Sequence, residues 1–304
     1  MQAQRFDYVV LAIGVAAVST AAVLIREAAA PALVIAAYRL MFASAPLLVI
    51  AGVRRARGRR LESAPGQTRR LLLEALAGVF LALHFGFWIA SVQQTSIVTS
   101  VVLVTAQPLF VALASGPLLG EKPAGTTWLG IGLAVAGAAV MVGEDIGSGR
   151  DTLLGDLYAI LGAVFASAYF LTGRRLRSTG EGWLSYVTLA YSMSAVVLIG
   201  LVVASGDSFG GYSLRTYGFL VLLALVPQLI GHTALNRSLG YLPAVSVTIA
   251  VLGEPVGATL LGALLLDEAP TAVELAGALL VLGGVYAGLR GAGRRAARVE
   301  AEPG

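Results

Sequence analysis

The sequence has no cysteine and only two histidines, His84 and His232. No disulfide framework, thiolate metal site or thiol redox centre can be built from it, and two histidines are too few for a histidine-based metal cluster. Charge is scarce too. Only 12% of the 304 residues are Asp, Glu, Lys or Arg, against about 25% in a typical soluble domain. Such a chain cannot cover a surface that faces water. With 57% apolar residues and a mean hydropathy of +0.83, its solvent is lipid over most of its length. The net charge of +4 does not point to nucleic acid, because the arginines fall between apolar runs and not on one basic face.

What the chain does have is a series of long apolar runs. The first follows Met1–Asp7 directly and reaches Ile25, longer than the core of a cleaved signal peptide, so it is expected to stay as a span. With about 20 apolar residues per crossing, the runs predict ten transmembrane helices near 8–25, 31–51, 71–92, 96–116, 126–143, 155–173, 184–204, 216–235, 244–266 and 271–289. Barrel strands would be about half as long and would alternate polar with apolar residues. The expected fold is therefore an all-α integral membrane protein.

The basic residues predict its orientation. If the N-terminus is cytoplasmic, seventeen basic residues lie inside, among them Arg54, Arg55, Arg57, Arg59, Arg60, Arg69, Arg70, Arg174, Arg175, Arg177 and the tail arginines Arg290, Arg294, Arg295 and Arg298. Three (Arg26, Arg150 and Arg215) lie outside, and Arg39 falls within a span. This asymmetry predicts cytoplasmic termini and an even number of crossings.

The sequence also repeats itself at an offset of 147 residues. Gln107-Pro108 falls on Glu254-Pro255, Leu118-Leu119 on Leu265-Leu266, and Glu121-Lys122-Pro123 on Glu268-Ala269-Pro270. Gly130, Leu133 and Gly137 fall on Gly277, Leu280 and Gly284. Residues 1–146 and 147–304 are thus expected to form two five-helix halves, the second ending in a basic tail. Five is odd, so the second half is expected to run through the membrane inverted. Inverted halves with a midplane site between them recur among secondary transporters.

Five plus five helices, a Glu-x-Pro turn after the fourth and ninth, and a proline within each of those helices resemble the EamA-type repeat of the drug/metabolite transporter superfamily. The resemblance covers nearly the whole chain. It implies a secondary transporter of the bacterial cytoplasmic (inner) membrane, often an exporter of amino acids and in one branch of aromatic ones. Other branches of the superfamily exchange nucleotide sugars or sugar phosphates.

The candidate binding residues are polar or aromatic side chains inside the spans. Arg39 either anchors a substrate carboxylate with its planar fork or pairs structurally. Glu254 is the one acid deep in a span, and its counterpart in the first half is Gln107. Arg39 and Glu254 either pair or bracket a zwitterion, and Glu254 is also a candidate carrier of a coupling proton. His84 and Trp88 share a helix face beside Phe85, and Gln228, His232 and Asn236 form an i, i+4, i+8 stripe that lines a cavity or joins helices. Tyr38, Tyr158, Tyr169 and Tyr191 are further candidates. Pro108 and Pro255 each withhold a backbone bond and read as hinges or fixed kinks. The glycines of the fifth and tenth helices (Gly130, Gly132, Gly137, Gly277, Gly283 and Gly284) read as packing positions. No phosphate loop, metal cluster or cofactor motif is present. The expected partners are lipid and a small, preferably zwitterionic solute, with the chain a monomer or weak homodimer. A passive channel and a membrane-embedded enzyme or lipid-modifying protein remain as alternatives. The acids placed outside (Glu144, Asp145, Asp267 and Glu268) lack histidine or cysteine company for such an enzyme.

Overall fold

The computed structural model describes residues 2–57, 67–95, 97–142, 153–265 and 271–301. Expectations for Arg59, Arg60, Glu144, Asp145, Arg150, Leu266, Asp267, Glu268, Ala269 and Pro270 lie outside these residues. In lipid, a segment must satisfy its own backbone N–H and C=O groups, which leaves the helix as the form open to an isolated apolar run. The described residues accordingly form ten helical rods and no strand. They are α1 (Gln2–Val18 and Ala21–Glu27), α2 (Ala32–Ala56), α3 (Gln67–Gln94), α4 (Ile97–Val104 and Gln107–Leu119) and α5 (Gly125–Val142). The second set is α6 (Leu153–Arg177), α7 (Trp183–Ser205), α8 (Leu214–Leu223, Ala224–His232 and Thr233–Ser238), α9 (Ala244–Val251 and Glu254–Leu265) and α10 (Ala272–Ala301).

Eight of the rods are long and apolar enough to cross a membrane. The expectation of ten is met less fully by α5 and α10, whose apolar stretches (Gly125–Val140 and Leu275–Gly291) are shorter. Both are rich in glycine, which adds little hydropathy but permits close packing.

The repeat is visible in where the rods begin and break. Ile97, Val104, Gln107 and Gly125 bound helical segments in the first half, and Ala244, Val251, Glu254 and Ala272 bound theirs in the second. These positions keep the offset read from the sequence. The prolines behave differently from the expected kinks. α4 stops at Val104 and α9 at Val251, two turn residues follow, and each helix restarts at Gln107 or Glu254. Pro108 and Pro255 thus occupy the first turn of the restarted halves, where no backbone N–H bond is lost. Their rings would clash with an unbroken preceding turn, which is why the helix breaks there and does not merely bend.

Contacts between rods also come in matched pairs. α3 packs on α6 as α8 packs on α1; α2 packs on its counterpart α7. The first half of α4 meets the second half of α9, and the second half of α4 meets the first half of α9. α5 and α10 cross with their backbones in contact. A β-carbon at Gly130 would stand 2.7 Å from the Gly284 oxygen, and one at Gly137 would stand 2.7 Å from the Gly277 oxygen. Residue numbers rise along α5 as they fall along α10, so the two helices run antiparallel. Gly283 faces only a side chain of α5, Leu133 Cδ2, 3.8 Å from where its β-carbon would be, and nothing stands within 4 Å of a β-carbon at Gly132.

One end of the bundle is tied by ion pairs. Arg237 of α8 meets Asp7 of α1 at 3.1 Å, and Arg174 of α6 meets Glu121 at 2.6 Å. Glu121 lies in the Glu-x-Pro turn that follows Gly120, whose φ of 71° closes α4 in the left-handed region. Its second carboxylate oxygen accepts from the Ala244 backbone at 3.2 Å and so caps the start of α9. This turn therefore ties the first half to the second.

Any side chain at Gly130 must push the two backbones apart. Gly130→Leu is expected to cost about 1–3 kcal/mol and to lower the melting temperature in detergent, whereas Gly132→Ala leaves it unchanged.

Candidate functional site

The broken rods share one location. A small cavity lies where α1, α4 and α9 are interrupted and where the irregular stretch of α8 ends; Val18, Ala21, Thr105, Gln107, His232 and Glu254 all border it. The space open to the centre of a water molecule is ≈ 20 Å³, room for about one water. A solute larger than water enters only if the rods separate.

Arg39 reaches this cavity from the middle of α2 and is wholly buried. Its Nε donates to Gln228 Oε1 at 2.8 Å, and its guanidinium carbon lies 4.0 Å from the centre of the Phe85 ring. Nη1 and Nη2 have no partner. Burying a cation with two unused donor nitrogens costs free energy unless an anion joins them, and the outer edge of a guanidinium binds a carboxylate in bidentate fashion.

Glu254 lines the same cavity at the first position of the restarted half of α9, where the positive end of the helix dipole favours a carboxylate. No ion pair joins it to Arg39. Both residues border the same space without forming an ion pair. Gln107 holds the matching position on α4, and its carbonyl accepts from Ser167 at 3.1 Å.

His84 and Trp88 stack with ring centroids 5.9 Å apart and planes 7° from parallel. His84 Nδ1 lies 2.9 Å from the Gly162 carbonyl. A carbonyl only accepts, so this nitrogen carries the proton and Nε2 is left as an acceptor. Trp88 Nε1 is a buried donor with no partner. His232 faces His84 at 6.3 Å between ring centroids.

Ala224–His232 of α8 is a π-helix, followed by regular helix from Thr233. A wider turn places residues four apart on different faces. Gln228 turns to Arg39, His232 to the cavity, and Asn236 to α6 and α7, where its amide donates to Tyr169 at 2.7 Å and to Tyr191 at 3.4 Å. Asn236, Tyr169 and Tyr191 thus join helices beside the cavity without lining it. Tyr38 is further away, donating to the Phe209 carbonyl at 2.7 Å within a cluster that includes Phe42 and Tyr217. Tyr158 packs on Phe87. Several lining residues went unnoticed in the sequence, Thr105 and Phe170 among them. Thr105 occupies the break two residues before Gln107 and had a legible signal as a polar residue in an apolar run; Phe170 had none.

Two structural repeats and helices broken at a shared polar cavity are features that recur among transporters. Comparison with known proteins agrees. Residues 6–143 and 153–289 each match the EamA-like transporter family, and the chain belongs to that family. It is 26% identical to the uncharacterized transporter YdfC of Bacillus subtilis over 60% of this chain and 59% of that one. It is likewise 26% identical to the pseudopaline exporter CntI of Pseudomonas aeruginosa over 67% of this chain and 70% of that one. A solved crystal structure shares the fold with a TM-score of 0.76 at 18% identity, covering 95% of this chain and 98% of the other.

Functional and structural roles for Arg39 predict opposite effects on stability. If its open edge is kept for a ligand, Arg39→Met combined with Gln228→Leu, which removes the orphaned acceptor, melts no lower than the wild type. A gain of about 1–4 kcal/mol is in the range for a buried charge replaced by apolar packing. A fall in melting temperature would make Arg39 a structural residue.

Proposed function

We propose that this transporter exports small zwitterionic metabolites, amino acids first among them, across the cytoplasmic membrane by alternating access. The observation that carries this reading is that the unpartnered edge of Arg39 and the carboxyl of Glu254 belong to one cavity. A carboxylate would engage Arg39, and an ammonium would engage Glu254. The aromatic wall of Trp88, His84 and Phe170 favours a flat side chain on the solute. A sugar phosphate or nucleotide sugar would need several cations, and Arg39 is the one arginine at the cavity. A relative named as a pseudopaline exporter supports the outward direction.

In this reading all ten rods cross the membrane, α5 and α10 as an antiparallel pair whose glycine contact offsets their short apolar lengths. Residues 1–146 and 147–304 are inverted halves, a relation supported by the matched contacts and the antiparallel crossing. The ion-paired end, where α1 and α3 begin and α6 and α8 finish, carries the excess of arginine and faces the cytoplasm. Pro108 and Pro255 mark where the broken rods re-angle as the cavity changes sides.

Purified protein in proteoliposomes is expected to give saturable counterflow with amino acids and none with sugar phosphates. Arg39→Lys keeps the charge but loses the fork and should weaken apparent affinity by at least about tenfold, equivalent to about 1.4 kcal/mol. Glu254→Gln should weaken apparent affinity for zwitterions and lose accumulation driven by a pH gradient. Unsaturable flux would identify a channel, and lipid turnover without solute movement an enzyme.

A further inference from the structure

The two ends of the bundle are fastened by the same kind of junction. α1 packs against α8 along its length and α3 packs against α6. Both pairs of rods line the cavity, with Val18 and His232 from one pair and Trp88 and Phe170 from the other. We propose that Arg26 and Arg174 are repeat-equivalent latches between these pairs, Arg26 holding the outer entrance to the cavity and Arg174 the inner one. The inference rests on the alternating-access reading, not on which solute is carried.

Each arginine sits in the last turn of the first helix of its half, α1 or α6. The two are 148 residues apart, the spacing that also relates His84 to His232. Each reaches a backbone carbonyl in the connection between the third and fourth helices of its half. Arg26 Nη2 donates to the Thr95 carbonyl at 3.1 Å, and Arg174 Nη1 donates to the Leu239 carbonyl at 2.9 Å. Thr95 follows α3 and Leu239 follows α8, so each bond runs from one packed pair of rods to the other.

The latches stand at opposite ends of the bundle. The Asp7–Arg237 pair sets the start of α1 beside the end of α8. Leu239 lies just past that end of α8, whereas Arg26 is in the final turn of α1.

A second contact accompanies each latch. Near Arg26, Gln93 Nε2 donates to the Ala30 carbonyl at 2.9 Å. Near Arg174, the Arg177 guanidinium lies against Gly240, where a β-carbon would stand 2.6 Å from Nη2. Ala30 and Arg177 are 147 residues apart, and so are Gln93 and Gly240. The repeat thus forms one junction twice, with different side chains.

A carbonyl just beyond a helix has no acceptor role within that helix, so it is open to a guanidinium from a neighbouring rod. One such bond is modest in net worth, which suits a contact that must break in every cycle. Arg174 Nε also pairs with Glu121 at 2.6 Å, and this ties the inner latch to the Glu-x-Pro turn. With both latches made, the cavity holds about one water. Parting the rods at one end while the other latch holds admits a solute from one side.

The chain has no cysteine, so a single thiol at Val104, which lines the cavity, reports access without background. The full-length Val104→Cys carrier is labelled with a membrane-impermeant methanethiosulfonate, added to intact cells or to inverted membrane vesicles. Arg26→Met removes the donors and keeps the stem. It should raise the outside labelling rate and lower the inside rate, each by at least about threefold. Arg174→Met should do the reverse. Arg174→Lys keeps a charge for Glu121 but cannot also span to Leu239; it should move in the same direction, and serves if Arg174→Met fails to fold. Combining Arg26→Met with Arg174→Lys should return the outside-to-inside ratio toward the wild-type value. Unchanged rates, or rates raised from both sides by either latch variant, would overturn the proposal. Saturable counterflow alongside unchanged rates would remove the latches and leave alternating access standing. Unsaturable flux in the wild type would remove both.

Discussion

Where lipid is the solvent, an interrupted helix leaves backbone groups that must find partners within the protein. That constraint governs the arrangement of this molecule. The breaks in α1, α4 and α9 and the π-helix of α8 are not scattered along the rods. They meet at one depth, where each faces another irregular segment and a polar side chain in place of an acyl chain. The cavity is thus the place where the chain concentrates its departures from regular helix.

Two copies of the repeat supply these breaks in matched positions, but they do not supply matched chemistry. Gln107 and Glu254 occupy equivalent sites, and only one carries charge. Arg39 brings the opposite sign from α2 alone. His84 and His232 stand 148 residues apart, one more than the offset elsewhere, and the π-helix of α8 is the kind of segment that absorbs one inserted residue. In the fold the two imidazoles face each other with ring centroids 6.3 Å apart.

The number of rods, their approximate limits and the repeat were legible in the sequence because each follows from a coarse quantity, the length of an apolar run or a fixed spacing. Local geometry was less so. A proline in an apolar run reads equally as a kink or as the start of a new helix, and the distinction rests on turn residues such as Thr105 and Gly253, which carry weak signals. The stripe on α8 assumed regular helical spacing, and the π-helix over Ala224–His232 left no mark in the sequence. Arg39, His84, Trp88, Gln107, His232 and Glu254 come together as polar or aromatic residues that lipid would reject. Tyr169 and Tyr191 have the same composition and join helices instead, since hydrogen-bond partners across the bundle leave no mark in one sequence.

The equivalent placement of Gln107 and Glu254 has a consequence for how such a protein can diversify. In a dimer of two identical five-helix chains, any change at this position would appear twice and alter the charge at the centre in steps of two. It would also place two copies of Arg39 around the cavity. Joining the halves into one chain frees each copy to vary alone, so the electrostatic character of the centre can shift by a single unit. A polarised pair, one cation and one acid, is available only to the fused form.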